Sequence, residues 1–452
     1  MINCSRRHGE RAAAENPQNK IFKGNATMNK VKSLLQDIKI PPLYRVRQEF
    51  SAKPLSDIEK SCLDQIICLD RLKKLKPGAR IAVAVGSRGI ANIGEITASV
   101  VKALKNMGFS PYIVSAMASH GKASPEGQQE LLAGLGVTEE AVGCPVRAHV
   151  DVIEIGTLDN GLPVYMDRVA MEGDGVVLIN RVKTHTAFHS NYESGLVKML
   201  TIGLGNDRGA KICHQLGFGP FGENMVAMAR VKLENCPVLF GVAVIEDACE
   251  NVSMIEVVDA DDILDREPEL LKISKANMPS IGIDQIDVLV VDRMGKEISG
   301  DGMDPNITGR YATPYASGGP TVGKLAILSV TEKSHGNVIG IGQADICTRR
   351  LYDAADLETT YVNSLIATVT TVARMPMILP TDYDAVRAAI LTCNILDFST
   401  VRLVMIRDTL HLRDLIVSES LLEELSTKGA VTSVAGPFEM EFDEDGTIQP
   451  FF

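Results

Sequence analysis

The chain has 452 residues, of which 46 are basic and 57 acidic, for a net charge of −11, and 45% are hydrophobic. That balance argues against a nucleic-acid or anionic-membrane surface, since both need clustered lysine and arginine, and it brings a small-molecule role forward. The nine cysteines, scattered from Cys4 to Cys393 without a CxxC pair, suggest neither a zinc cluster nor a disulfide framework; reduced thiols fit a cytoplasmic protein.

No apolar run approaches the roughly 18 residues needed to span a bilayer, so no membrane contact is expected. The polar start "MINCSRRHGERAAAENPQNK" lacks a signal peptide's apolar core, and residues 1–27 read as a disordered extension ahead of Met28. From Ser56 to about Leu75 the apolar spacing predicts one helix behind a serine cap, ended by "KPG". Next, "RIAVAVGSRGIANIGEITASVVKALKNMG" reads strand, glycine loop, helix, and "SPYIVSAMASHGKASPEGQQELLAGLG" repeats that order. Two further buried strands follow at 175–182 and 238–246. Successive βα units imply a mostly parallel sheet covered by helices on both faces.

A second α/β set opens at "IDVLVVDRMG" (286–295) and continues with "KLAILSVTE", a helix over roughly 346–370, another near 381–394, and the strand "VRLVMIRDT". The expected architecture is two α/β domains, 28–275 and 276–452, with mostly parallel sheets flanked by helices and the active site in the cleft between them. The loop "KEISGDGMDPNITGRY" is long and rich in turn residues.

Ligands of open α/β sheets bind beyond the carboxyl ends of the strands. The residues that follow those ends are Gly86-Ser87-Arg88-Gly89, Ser119-His120-Gly121, Lys183-Thr184-His185, and Glu246-Asp247. Arg88 suits a carboxylate through its planar fork, or a plain salt bridge. His120 and His185 are candidate acid/base groups, against the ordinary reading of each as a structural histidine. His185 and His189 have the spacing of a helical metal pair, but "KTHTAFHSN" reads as a loop. Glu246 and Asp247 read best as caps of a following helix.

The stretch "SGLVKMLTIGLGNDRGAKICHQ" (194–215) holds Lys198 in an apolar run and His214 sixteen residues later. In one straight helix these two would lie about 24 Å apart, too far to share a small ligand. Gly203, Gly205 and Gly209 offer a break after Leu200 that folds His214 back toward Lys198. The plain alternative is a buried helix whose lysine snorkels, followed by a surface helix. Gly203 and Gly205 are also a loose relative of dinucleotide fingerprints, without a clear preceding strand. Cys213 reads as a small buried residue.

Together, "GSRGI" at Arg88, "ASHGKAS" at His120, "NRVKTHTAF" at His185, "ESGLVKMLTIGLG" at Lys198 and "GAKICHQ" at His214 resemble the nickel-dependent lactate racemase family. The resemblance spans most of residues 45–250. It implies a nickel-pincer cofactor, pyridinium-3,5-bisthiocarboxylic acid mononucleotide, linked through a thioamide to Lys198 and supplied by cofactor-synthesis proteins. His214 would ligate the nickel, and Gly203 and Gly205 would lie at the cofactor. Arg88 would hold the substrate carboxylate or part of the cofactor, and His120 and His185 would act as the two acid/base groups on a 2-hydroxy acid. The sequence departs from the family pattern in having Val85 and Gly86 where an acid is expected before the arginine. Lactate, a larger hydroxy acid and a sugar acid all stay open as substrates. Two other readings stand beside this one: an NAD(P)-dependent oxidoreductase using Gly203–Gly209 for phosphates, and a non-catalytic binding protein for an anionic small molecule.

Overall fold

Arg80–Val85 is buried at five of its six positions because successive side chains point to opposite faces and both faces are covered. In this computed structural model, which describes residues 28–87, 89–118, 120–427 and 431–449, the alternation is direct. Ala82 and Ala84 join Val114, Leu178, Leu196 and Phe221 on one face. Ile81, Val83 and Val85 join Ile113, Val177, Ile96 and Val100 on the other.

The first sheet has six strands in the order Val146–Arg147, Ser110–Ser115, Arg80–Val85, Gly175–Arg181, Val238–Glu246, Val252–Asp259. All neighbours are parallel except the last pair, which is antiparallel. The chain steps outward from Arg80–Val85 through Ser110–Ser115, then returns to that strand's other side as Gly175–Arg181. The crevice between the loops after these two central strands is therefore the topological switch point, where ligands of such sheets bind.

The second sheet has eight strands: Met377–Leu379, Ile346–Thr348, Thr321–Val330, Gln285–Met294, Leu403–Ile406, Asp414–Ser418, Leu43–Gln48 and Val431–Phe438. The first five are parallel and the rest antiparallel. Leu43–Gln48 thus belongs to the second unit rather than the first, whose expected start at 28 moves to the crossover near residue 50. The helix Asn29–Leu35 goes with it: Leu35 shares a core with Val386 and Ala389, and its carbonyl accepts from Arg387 Nη1 at 3.0 Å.

Three further expectations change. The helix over 56–75 is two helices, Ile58–Ile66 and Asp70–Lys73, because Leu69 is extended between them; the first is capped by Asp57, not by Ser56. The helix over 346–370 begins as the buried strand Ile346–Thr348, after which Thr348 caps Arg349–Asp353 and Leu357–Ile366 follows. Glu246 and Asp247 precede a strand, so neither caps a helix. The disordered extension expected at 1–27 lies outside the described residues. Among those described, no helix is long and apolar enough to cross a membrane.

Candidate active site

The loops at the switch point are pinned from several sides. Ser87 Oγ is hydrogen-bonded to His120 Nδ1, joining the loops after the two adjacent strands. Glu246 accepts from the backbone N–H of Ala91 at 2.7 Å and pairs with Arg181, so the end of Val238–Glu246 steadies the glycine loop that carries position 88. Arg88 itself, expected at the substrate carboxylate or cofactor, lies outside the described residues.

His185 sits on the loop after Gly175–Arg181. Its backbone N–H donates to Glu193 Oε2 at 2.7 Å, and its Nδ1 accepts from Ala187 N–H at 3.0 Å. Glu193 is buried and neutralised by Lys275 at 2.6 Å. The His185 ring packs 4.5 Å from Phe188 and 5.9 Å from Phe218. His214 packs on the same cluster, 5.3 Å from Phe218 and 4.8 Å from Phe221. The two histidines therefore border one aromatic group, although 29 residues separate them in sequence.

The second unit closes this loop. Asn306 Nδ2 donates to the His185 carbonyl at 3.3 Å, Asp304 pairs with Lys183 at 3.1 Å, and His189 N–H donates to the Tyr315 carbonyl at 2.8 Å. The turn-rich loop seen in sequence is thus a wall of the cleft, with one helical turn at Pro305–Thr308. His189 is engaged by Asn306 Oδ1 at 3.0 Å and by the Tyr311 ring, which accounts for it without a metal pair. No group of three or more histidine, cysteine or acidic side chains is placed to hold a metal among the described residues.

Lys198 and His214 sit on a broken helix. Leu196–Lys198 is α-helical, Met199–Gly203 is a π-turn, and a new helix runs Asn206–His214 after Asn206 takes φ +49°. π-turns inside helices are often functional sites. The break lies where expected, but Asn206 carries the left-handed residue, and its Nδ2 donates to buried Asp167 at 2.7 Å. Gly203 and Gly205 serve close approach: a Cβ on Gly203 would lie 3.0 Å from the Ala116 carbonyl oxygen, and one on Gly205 would lie 2.5 Å from that of Thr201. Both are buried and form no open phosphate loop.

Two buried charged residues hold the segment by its backbone. Lys232 Nζ donates to the carbonyls of Leu200 (2.7 Å) and Thr201 (3.1 Å), groups that the π-turn does not satisfy by itself. Glu267 accepts from the N–H groups of Val197, at 2.8 Å, and Leu196, where the short helix begins. Burial lowers Lys232 to about 7 and raises Glu267 to about 7. Gly195 is needed here because a Cβ would fall 2.4 Å from Glu267 Oε1. Gly195→Ala is expected to destabilise the protein by about 2–3 kcal/mol, as overpacking against a buried charged group does. Denaturant unfolding checks this, and a loss below about 0.5 kcal/mol would mean that Glu267 moves aside freely.

The electrostatics of His214 follow from its position. The residue as a whole is half-buried, but its Nδ1 is enclosed and has no hydrogen-bond partner. Burial first, and the Lys198 ammonium second, lower its pKa to about 4. The imidazole is therefore neutral at pH 7 and its enclosed nitrogen lacks a partner, which suits a metal ligand. The Lys198 field also reaches Cys213, but burial dominates there and pushes the thiol up to about 12, so Cys213 is no thiolate donor.

Residues 35–220 match the family described as the lactate racemase N-terminal domain. No curated protein matches the chain. Among solved structures, the lactate racemase apoprotein from Thermoanaerobacterium thermosaccharolyticum is similar at a TM-score of 0.42 and 13% identity, over 80% of this chain and 84% of that one. The match to the lactate racemase N-terminal domain covers the motifs at His120, His185, Lys198 and His214.

Proposed function

We propose that the protein is an isomerase, a racemase or epimerase of a 2-hydroxy acid, using a nickel-pincer pyridinium mononucleotide held on Lys198. The observation that supports this most is His214: a neutral imidazole with an enclosed, partnerless nitrogen in the field of a lysine at the start of a π-turn. Lys198 would anchor the cofactor and His214 would supply a ligand to nickel, a metal well suited to imidazole. When bound, that group would supply a reversible hydride acceptor for the 2-hydroxy carbon.

The chain's own residues do the rest. A thioamide link at Lys198 Nζ would remove the ammonium charge that, after burial, depresses His214. His120 and His185 are the acid/base groups for the substrate hydroxyl; their rings are oriented by the contacts of Nδ1 with Ser87 Oγ and with Ala187 N–H respectively. Phe188, Phe218 and Phe221 exclude water beside His185 and His214, which strengthens the local electrostatics. Burial of Gly203 and Gly205 weighs against the NAD(P) alternative, which needs exposed backbone N–H groups to cradle phosphates.

After co-expression with cofactor-synthesis proteins in a cytoplasmic host, the protein should carry about one nickel per chain. It should also show a mass addition on the peptide containing Lys198, and should racemise enantiopure 2-hydroxy acids on chiral chromatography. A matured preparation with neither nickel nor the addition removes the proposal. His120→Ala and His185→Ala are each expected to lower kcat/KM by about 10²- to 10⁴-fold. The loss is the same in both directions, because a racemisation equilibrium constant near one ties them together. Either variant within about twofold of wild type would take that histidine out of the acid/base pair.

A further inference from the structure

A cavity of about 530 Å³ lies apart from the aromatic cluster, where the turn after Val238–Glu246 meets the loop 407–414 and the strand Leu43–Gln48. Its walls carry Arg45, Arg47, Arg407 and Arg413 beside Glu250 and Asp414, a concentration of guanidinium groups on a chain of net −11. None of Lys198, His185 and His214 lines it.

Internal pairing accounts for part of this charge. Asp414 holds Arg47 with two bonds, at 2.8 and 3.0 Å. Arg407 reaches Asp408 only at 3.8 Å, and that buried carboxylate already receives Arg293 at 3.2 Å, His411 Nδ1 at 2.6 Å and the N–H groups of Leu410 and His411. Arg413 donates to the Cys249 thiol at 3.4 Å, and no carboxylate pairs with it among the described residues. Burial, and then Glu246, push the Glu250 carboxyl above its usual range.

The backbone of the walls is also fixed. Asp247 accepts from Cys249 N–H at 2.9 Å, Asn251 N–H at 3.1 Å and Lys53 N–H at 3.2 Å, fixing one wall. Gln48 donates from its backbone to the Arg413 carbonyl at 2.8 Å and from its side chain to Leu412 at 2.7 Å, fixing the other. Guanidinium forks carried on such walls match oxyanions. A phosphate group offers three acceptor oxygens, enough to engage two guanidinium forks at once, whereas the two oxygens of a carboxylate are filled by one fork.

We infer that this cavity binds a phosphate group, free or on a small molecule, between Arg407 and Arg413. Its walls come from both sheets, so an occupant bridges the two units beside the crossover at Phe50 and couples its binding to their relative position.

Cys249 reports on the site, and exposed Cys68 is an internal control. The full chain is alkylated with iodoacetamide in about 10 mM inorganic phosphate, glycerol 3-phosphate or acetate at matched ionic strength, and each cysteine is followed by peptide mass spectrometry. Phosphate is expected to slow labelling of Cys249 at least about threefold and to leave Cys68 unchanged. Stronger protection by glycerol 3-phosphate than by phosphate identifies a phosphate ester as the ligand, and the reverse order identifies the free ion. In the Arg407→Gln/Arg413→Gln variant, which alters only exposed or half-exposed side chains, phosphate protection disappears. Unchanged Cys249 labelling in wild type, equal protection by acetate, or protection that survives in the double variant overturns the inference.

Discussion

Lys198→Met is expected to abolish racemisation, a fall of at least about 10⁴-fold in kcat/KM, because an anchoring residue acts as one unit with the group it holds. The fold should survive, since the segment is gripped through the backbone groups of Val197, Leu200 and Thr201. A second readout needs no cofactor. The His214 imidazole is held at about 4 by burial first and by the Lys198 ammonium second. Removing the ammonium moves the His214 titration upward, yet leaves it below the ordinary histidine range because burial remains. Proton NMR of the imidazole in wild type and variant measures this directly. An unmoved titration would mean that the two side chains are not electrostatic neighbours, and retained racemisation would remove the anchor role even if the titration moved.

The βα alternation was legible because strands buried on both faces read as unbroken apolar runs, as in Arg80–Val85 and Val238–Glu246. Leu43–Gln48 was not legible as part of the second unit, because its partner Asp414–Ser418 lies hundreds of residues away and nothing local names it. The motif residues could be read as candidates, and the structure brings His185 and His214 to one aromatic cluster and His120 to Ser87. Gly203 and Gly205 read from the sequence as points of flexibility, whereas the structure uses their missing Cβ atoms for close contact. Glu267 and Lys232 escaped notice, yet each left a signal. Glu267 falls on the helical stripe of Ile263, Leu270, Leu271 and Ser274, and Lys232 on that of Phe221, Met225, Met228 and Ala229. A single charge at a core position of an amphipathic helix is the pattern to look for, since it needs a buried polar partner.

That pair of buried groups leads to the second large effect, a stability minimum near pH 7 built from two opposite slopes. Glu267 is raised from 4.5 to about 7, so between those values the folded chain keeps a proton that the unfolded chain has released, and stability falls as pH rises. Lys232 is lowered from 10.5 to about 7, so from there upward the unfolded chain keeps a proton that the folded chain has lost, and stability rises with pH. Each window is worth on the order of 3 to 5 kcal/mol. The neutral amine has two N–H donors for its two carbonyl acceptors, so Lys232 fills both in its uncharged form. Glu267→Gln keeps an acceptor for Val197 N–H and removes the fall between pH 5 and 7. Lys232→Met removes the rise between pH 7 and 10, and leaves the Leu200 and Thr201 carbonyls unpaired at a cost of about 2–3 kcal/mol at pH 7. Denaturant midpoints across pH 5 to 10 separate the two, and a wild-type slope retained by either variant in its own window removes that residue from the device. Because both residues grip the turn that carries Lys198 and leads into the His214 helix, loosening either end should also broaden the His214 titration before it unfolds the chain.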